Sequence, residues 1–159
     1  MKTRKPQWFE PDIQARLDAT ERAQVVYICS PYSGDTRRNT HLASCYARHA
    51  LEEGYTPIAS HLLLPQFMDE VTEREKALTQ ATILLSLCDE IWIFGRLSEG
   101  MVAEWKAALA LGTPVRTFAT FNTVAPDGHE IVGIQETTPP ANGFVPCEGC
   151  EECQGGEAK

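Results

Sequence analysis

The sequence contains no apolar run long enough to cross a membrane. Its longest runs, such as "ATILLSLC" at residues 81–88, are far shorter than the roughly 20 residues that a spanning helix needs. The first residues, "MKTRKPQWFEPD", are basic but lack the apolar core of a signal peptide. From both absences we expect a cytoplasmic protein that does not bind membranes.

Basic side chains are scarce in the last quarter of the chain. Residues 119–159 contain seven acidic side chains and one basic side chain, Lys159, and the formal net charge of the whole chain is −8. Proteins bind duplex nucleic acid through clusters of basic side chains that neutralise its phosphates. The acidic balance argues against duplex nucleic acid as a partner, whereas a small anionic ligand, which needs only a few local donors, stays open.

The six cysteines do not form the pattern of a disulfide framework. Cys29, Cys45 and Cys88 are scattered through apolar segments, where a free cysteine is commonly a small core residue. Because the sequence has no secretion signal, we expect no disulfides.

Three further cysteines occupy the acidic tail, in "PCEGCEECQGG". Cys147, Cys150 and Cys153 supply three thiolates, one fewer than a structural zinc site requires, so His129 or a partner chain would have to provide the fourth ligand. We favour a metal-free tail, with zinc on these cysteines as the alternative, and we expect no other cofactor.

The sequence also lacks a Walker phosphate loop and the glycine fingerprint of dinucleotide-binding folds. Instead, short apolar strand candidates ("QVVYICS", "YTPIAS", "DEIWIFG" and "TPVRTFAT") alternate with helical segments. In one of these helices Thr72 and Glu75 have the spacing of a capping box. The alternation predicts an α/β fold, namely a three-layer, Rossmann-like or flavodoxin-like parallel sheet with helices on both faces.

Composition divides the chain into four parts. Residues 1–23 are an N-terminal arm with a short helix, and residues 24–118 are the α/β domain. Residues 119–138 are a hairpin-like extension with an Asp-Gly turn. Residues 139–159 are the acidic, cysteine-rich tail, and their proline, glycine and acidic content indicates disorder.

One carboxylate does not fit the pattern of its helix. In "RLSEGMVAEWKAALALGTPV", residues 96–115, winding at about 100° per residue places five apolar residues on one arc: Met101, Trp105, Ala108, Leu109 and Leu111. Glu104 projects from this arc, where a carboxylate is desolvated, paired or facing a cavity, and desolvation alone costs several kcal/mol. Either Glu104 forms a structural ion pair with a cation such as Arg96 or Arg116, or it faces a ligand.

Two loops should meet at one edge of the sheet, because ligands of such folds bind beyond the carboxyl ends of the strands. The loop "SPYSGDTRRN" after the first strand offers hydroxyls, a turn glycine and an arginine to a sugar or phosphate: Ser30, Tyr32, Ser33, Gly34 and Arg37. An ordinary strand-to-helix turn, with Asp35 as the helix cap, is the alternative.

The second loop, "SEGM", opens the helix that contains Glu104. Ser98 can cap this helix, Gly100 lets a ligand approach the backbone, and the free N–H groups of the first turn, as far as Met101, favour an anion. His61, at the end of the strand candidate "YTPIAS", is a candidate proton donor, although a lone histidine is more often a packed, hydrogen-bonded residue.

Together these segments resemble a known superfamily. "VVYICSPYSGDTRRN", "GYTPIASHLLLPQF", "CDEIWIFG" and "SEGMVAEWKAALALGTPV" are similar to the nucleoside 2-deoxyribosyltransferase-like superfamily, and most similar to its small phage and bacterial members of unassigned function. The resemblance covers residues 24–118, and its most specific piece is the Gly-x-x-x-Glu from Gly100 to Glu104. "YICSPYSGD" is also similar to the phosphate-accepting first loop of the related deoxynucleotide N-hydrolases.

The resemblance implies a catalytic role for Glu104. In that superfamily the matching glutamate attacks the anomeric carbon of a (deoxy)nucleoside, expels the base and forms a glycosyl-enzyme ester, which water or a second base then resolves. It also implies a homodimer or a higher homo-oligomer.

The sequence departs from that superfamily at one functional position. Characterised members carry an aspartate, about eight residues before the acidic residue corresponding to Asp89, that helps to protonate the leaving base. Here the neighbourhood reads Gln80-Ala81-Thr82. Either another side chain substitutes or the base is not protonated; the candidate substitutes are His61, Asp69 and Glu73.

Two hypotheses compete. The first is an enzyme, either a hydrolase or a base transferase, that acts on the N-glycosidic bond of a (deoxy)nucleoside or its 5′-phosphate, with Glu104 and His61 as catalytic residues. The second is a non-catalytic module on the same fold that binds or sequesters a nucleotide. In both, the partner is a small nucleoside or nucleotide.

Overall fold

A computed structural model describes residues 11–20, 23–69, 71–128 and 130–138. Its elements in chain order are α1 (Pro11–Thr20), β1 (Val25–Cys29), α2 (Thr36–Glu52), β2 (Thr56–Ile58), α3 (Ser60–Leu63), a 3-10 turn (Leu64–Gln66), α4 (Arg74–Ser86), β3 (Glu90–Phe94), α5 (Glu99–Leu111), β4 (Val115–Val124) and β5 (Glu130–Thr137). The tail cysteines Cys147, Cys150 and Cys153, together with His129, lie outside the described residues, so zinc in the tail stays a prediction.

The five strands form one sheet in the order β2-β1-β3-β4-β5. The first four strands are parallel, whereas β5 runs antiparallel to β4. β5 is antiparallel because a short turn joins it directly to β4, and a parallel strand would need a long crossover connection. The predicted α/β class, with a parallel sheet between two helical layers, is confirmed.

Alternate residues of the strands face different helices. Val26 and Ile28 of β1 pack with Tyr46 and Ala50 of α2 on one face of the sheet. On the other face, buried residues of β1 and β3 pack with residues of α4 and α5: Tyr27, Cys29, Ile91 and Ile93 with Leu85, Met101 and Ala108. We call these the α2 face and the α4/α5 face. Within the described ranges, none of the helices combines the length and the apolar character that crossing a membrane requires.

The predicted division at residue 118 falls inside β4. This strand pairs with β3 from Val115 to Phe118 and, along its whole length, with β5. The extension therefore continues the central sheet, because a single strand supplies both the last parallel pairing and the first arm of the hairpin.

Two local predictions differ from the structure. The capping box of Thr72 and Glu75 does not form, because α4 begins at Arg74, and Asp69 accepts hydrogen bonds from the backbone of the preceding turn. The apolar arc of α5 is only partly buried. Leu109 and Leu111 are 55% and 51% exposed, since a helix resting on one side of a sheet buries only the stripe that contacts it.

Candidate functional site

The candidate site lies where the chain segments that follow β1 and β3 diverge to opposite faces of the sheet. β1 and β3 are neighbouring parallel strands; β1 leads into α2 on one face of the sheet, and β3 leads into α5 on the other. In open α/β sheets such a switch point leaves a crevice at the carboxyl ends of the strands. The loops at residues 30–35 and 95–98 border this crevice.

Glu104 lies on the wall of a cavity of about 100 Å³ at this edge. The first turn of α5 sets its position. As predicted, Ser98 caps the helix, and its side chain accepts from the backbone N–H of Met101 at 3.4 Å. A Cβ at Gly100 would meet no atom within 4 Å, so a ligand can approach the backbone there. Glu104 is half-buried and faces this space one turn further along.

Tyr27 of β1 holds the carboxylate. Its Oη lies 2.7 Å from Glu104 Oε1 and 2.7 Å from Ser60 Oγ. A phenol carries one hydrogen and a carboxylate can only accept, so Tyr27 donates to Glu104 and accepts from the hydroxyl of Ser60. Burial and then the negative charge of Glu104 raise the pKa of Tyr27 well above its usual value. Tyr27 is therefore a protonated donor at neutral pH.

The thiol of Cys29 belongs to the same cluster. Burial raises its pKa well above the usual value, and both the charge of Glu104 and a hydrogen bond to that carboxylate raise it further. A protonated, fully buried thiol is a poor nucleophile. We therefore regard Cys29 as part of the packing around Glu104.

The alternative ion pair between Glu104 and Arg116 does not form. Arg116 lies on the α2 face, stacked 4.3 Å from the centroid of the Trp92 ring, and it binds both carboxylate oxygens of Glu136 at 2.8 Å. The sheet separates Arg116 from Glu104, because Arg116 projects from β4 on the α2 face, whereas Glu104 projects from α5, which packs on the other face.

His61 lies in the cavity wall as a neutral residue. Its Nε2 is 3.0 Å from Ser30 Oγ, and only 6% of the residue is exposed. Burial lowers the pKa of His61 to about 4, so the imidazole is neutral near pH 7. The geometry therefore favours a hydrogen-bonding role for His61 over the proton-donor role that the sequence suggested.

The cavity wall includes most of the residues that the sequence singled out: Ser30, Tyr32, Ser33, His61, Ser98, Gly100, Met101 and Glu104. Gly34 and Arg37 are not among its lining residues. Gly34 adopts a φ of 90° in the turn before α2, and Arg37 is exposed on that helix. Asp35 is the N-cap of α2, as the alternative reading of this loop expected, since its side chain accepts from Arg38 N at 3.0 Å.

Several wall residues were not predicted from the sequence. They are Ser60, Leu64, Arg74, Ala77, Leu78 and Ala81. All come from the segment between β2 and β3, and four belong to α4. Tyr27, which donates a hydrogen bond to Glu104, was also missed. The β-branched and aromatic run "VVYIC" is typical of a buried strand, and this pattern gives no information about the partners of the Tyr27 hydroxyl.

The wall offers no second carboxylate. Among the lining residues in the described part of the chain, Glu104 is the only acidic one, and Ala81 occupies the position where the departure from the superfamily pattern lies. The two carboxylates that the sequence offered as substitutes, Asp69 and Glu73, do not line the cavity. Backbone N–H groups of Thr72 and Val71 lower the pKa of Asp69, and Lys76 lowers that of Glu73.

We find no set of metal ligands in the part of the chain that the structure describes. No group of three His, Cys, Asp or Glu side chains there is arranged to hold a metal ion.

Comparison with known families identifies the domain. A family described as "Domain of unknown function (DUF7768)" matches residues 24–118. The chain belongs to this family. No curated protein matches the chain. The DUF7768 segment contains every residue of the cavity wall described above, from Ser30 to Glu104.

Two solved structures are similar to the DUF7768 chain. A 2-deoxyribosyltransferase of Bacillus psychrosaccharolyticus is 16% identical, with a TM-score of 0.49, and the alignment covers 60% of this chain and 72% of that one. A 2-deoxyribosyltransferase of Leishmania mexicana is 18% identical, with a TM-score of 0.45, and the alignment covers 64% and 67%. Because both TM-scores are below 0.5, we base no functional inference on either likeness.

Proposed function

We propose that this protein cleaves the N-glycosidic bond of a nucleoside or a nucleoside 5′-phosphate, with Glu104 as the nucleophile. The observation that supports the proposal is the setting of Glu104. Its carboxylate is half-buried, borders a cavity, and accepts a 2.7 Å hydrogen bond from a buried phenol. A carboxylate that is fixed beside a cavity can serve as the nucleophile of covalent glycosidic catalysis.

The mechanism begins with attack by the carboxylate on C1′ of the sugar. A bond forms between Glu104 and C1′ while the bond from C1′ to the base nitrogen breaks, and its electron pair leaves with the base. Water or a second base then attacks C1′ and releases the carboxylate. The hydrogen bond from Tyr27 orients Glu104 during both steps and preserves its charge. A 5′-phosphate would be accepted by Ser33, Ser98 and the first-turn N–H groups of α5.

The wall offers the leaving base no acid, since His61 is neutral and Ala81 is apolar. General acid catalysis contributes typically 10²- to 10⁴-fold, so ordinary bases should leave slowly. A base whose ring is already cationic needs no proton to leave. We therefore expect the protein to release the base of 7-methylguanosine at least about 10-fold faster than that of guanosine under the same conditions. Equal rates for both would point to an acid that this account omits.

Neutral His61 and apolar Ala81 also favour a second candidate function, a module that binds a nucleotide without cleaving it. Such a module predicts saturable binding by calorimetry with no release of base. It also predicts that binding survives Glu104→Gln, because a site without chemistry does not need the charge.

Base release decides between the two functions. Wild-type protein is incubated with a panel of ribo- and deoxyribonucleosides and their 5′-monophosphates, and free base is separated and measured. We expect release from at least one member and a loss of about 10³-fold or more in Glu104→Gln, the usual scale for removing a nucleophile.

The matched control is Glu99→Gln. Glu99 is an exposed acid in the first turn of the same helix and is not part of the cavity wall, so this variant should keep wild-type activity. Acid quenching during turnover should also trap a sugar adduct on Glu104. A wild type that releases no base, or a Glu104→Gln variant as active as the wild type, would refute the nucleophile.

A further inference from the structure

A second and larger cavity opens at the same edge of the sheet. Its volume is about 380 Å³, and it lies between α2 and the end of β4. The cavity has a floor of core residues that includes the stacked rings of Tyr46 and Phe94. The polar side chains around it include Arg38, Asn39 and Arg96. Nothing in the proposed reaction uses this space.

The two cavities are neighbours. Ser33, in the loop after β1, and Ser98, at the start of α5, line both of them. The cavity beside Glu104, at about 100 Å³, is smaller than the roughly 300–1,000 Å³ of typical ligand sites, whereas the second cavity falls within that range. A ligand of ordinary size that reaches Glu104 extends beyond the first cavity, and the larger space past the two serines has room for the rest of it.

The chemistry of the second cavity suits an anion. Arg38 and Arg96 contribute two guanidinium groups, each a rigid fork of donors that matches phosphate oxygens. Arg38 Nη2 already contacts Glu130 Oε1 at 3.3 Å, but both side chains of this pair are about half exposed, so the pair is weak and a phosphate can replace Glu130. Asp35 also borders the cavity, where its carboxylate is engaged as the cap of α2.

We infer that the substrate is a nucleoside 5′-diphosphate or a longer 5′-polyphosphate, and that the second cavity binds the phosphates beyond the first. This inference rests on the proposed function. The sugar lies against Glu104, the α-phosphate lies between Ser33 and Ser98, and the β-phosphate enters the second cavity, where Arg38 and Arg96 bind it.

The test measures how affinity depends on phosphate number. Calorimetry in the presence of EDTA gives Kd for the nucleoside, 5′-monophosphate, 5′-diphosphate and 5′-triphosphate of each common base. We expect Kd to fall about tenfold or more between the monophosphate and the diphosphate, as charge-assisted hydrogen bonds predict. In Arg38→Gln/Arg96→Gln this difference should shrink to about twofold or less.

The matched control is Arg48→Gln. Arg48 is also an exposed arginine of α2 in an ion pair, here with Glu52, and it lines neither cavity. It should keep the full difference between monophosphate and diphosphate. A second variant, Asn122→Asp, adds a negative charge to the wall of the second cavity and should weaken the diphosphate more than the monophosphate.

The outcomes separate this inference from the proposed function. Equal Kd values for monophosphate and diphosphate overturn the inference, and base release from the monophosphate in that case leaves the proposed function standing. A gain in affinity that the arginine variants abolish supports the inference. If no base is released from any member in that case, the proposed function fails, and the second cavity remains a binding site for the phosphates of a nucleotide. Absence of binding throughout the series overturns the inference.

Discussion

A half-buried charge lies on each face of the sheet, Arg116 on one and Glu104 on the other, and the surroundings of the two charges differ. On the α2 face, Arg116 lies over the ring of Trp92 and binds both oxygens of Glu136, and this hydrogen bonding raises its pKa. On the α4/α5 face, Glu104 accepts from Tyr27 and borders a cavity. The comparison teaches that one charge completes the packing of its face, while the other is directed at a space that a ligand can enter.

The aromatic packing follows the same division. Trp92, Phe94, Phe118 and Tyr46 stack or tilt against each other on the α2 face at centroid distances of 4.3 to 4.9 Å. The α4/α5 face instead buries a phenol, a thiol and smaller aliphatic side chains. Substitutions in this aromatic cluster should therefore change stability, and substitutions of Tyr27 and Glu104 on the other face should change activity.

The largest effect should follow Trp92→Ala. The side chain is fully buried and contacts Tyr55 and Phe118, so its removal leaves a large void in the α2 face. We expect a loss of about 3–5 kcal/mol in the free energy of unfolding, measured with urea. Phe67→Ala, at an aromatic side chain that is 66% exposed, is the control and should change stability by less than about 0.5 kcal/mol. Similar losses in both variants would contradict this account of the α2 face.

The next effect concerns stability in mild acid. The folded-state pKa of His61 is about 4, below the ordinary value of about 6.5, so the unfolded chain binds this proton first as the pH falls. The stability that neutral His61 contributes is complete above pH 6.5 and is lost as the pH falls through 4, by a total on the order of 3 kcal/mol.

Urea unfolding between pH 7 and pH 4 measures this loss. His61→Gln should show a shallower decline than the wild type, whereas His41→Gln, at an exposed histidine of α2, should follow the wild type. Carboxylates titrate in the same range but are common to all three proteins. Parallel curves for His61→Gln and the wild type would show that His61 is not buried in its neutral form.

Tyr27→Phe should mainly affect activity. It removes the donor to Glu104 and leaves the ring in place, so we expect kcat/KM to fall about 10- to 100-fold, the scale of losing one hydrogen bond to a charged group. The acidic limb of the pH–rate profile should also move to higher pH, since the ionised carboxylate loses a donor.

The matched change on the other face is Tyr55→Phe. Tyr55 packs edge-on against Trp92, and this variant should keep wild-type activity and an unchanged pH profile. An active Tyr27→Phe variant with an unshifted acidic limb would mean that the hydrogen bond does not position Glu104.

The smallest effect should follow Leu109→Lys on α5. The side chain is 55% exposed and points away from the buried stripe, so the free energy of unfolding should change by less than about 0.5 kcal/mol. The predicted homodimer adds a second readout. Light scattering on wild type and variant would show a change of mass only if this exposed part of α5 lies in the interface.

Local sequence patterns predicted the elements well because those elements depend on near neighbours. β3 was predicted from an uninterrupted apolar run, and its residues Ile91 to Phe94 are at most 1% exposed. The start of α5 was predicted from Ser98, which forms its N-cap, and the helix ends at Gly112, which forms its C-cap. The start of α4 was predicted wrongly, from the capping-box spacing of Thr72 and Glu75. In the structure Asp69 accepts hydrogen bonds from the backbone of the preceding turn, and the helix begins at Arg74.

The sequence alone determined the alternation of strands and helices, the capped start of α5, and the presence of a carboxylate on the apolar side of that helix. Only the tertiary structure decided what this carboxylate meets. Tyr27 and Glu104 are 77 positions apart, and Ala81 and His61 come from two further elements. Their roles depend on burial and on contacts across the sheet, and these arise only when distant segments pack together. Local periodicity therefore predicts which elements form, and packing decides which side chains can act on a ligand.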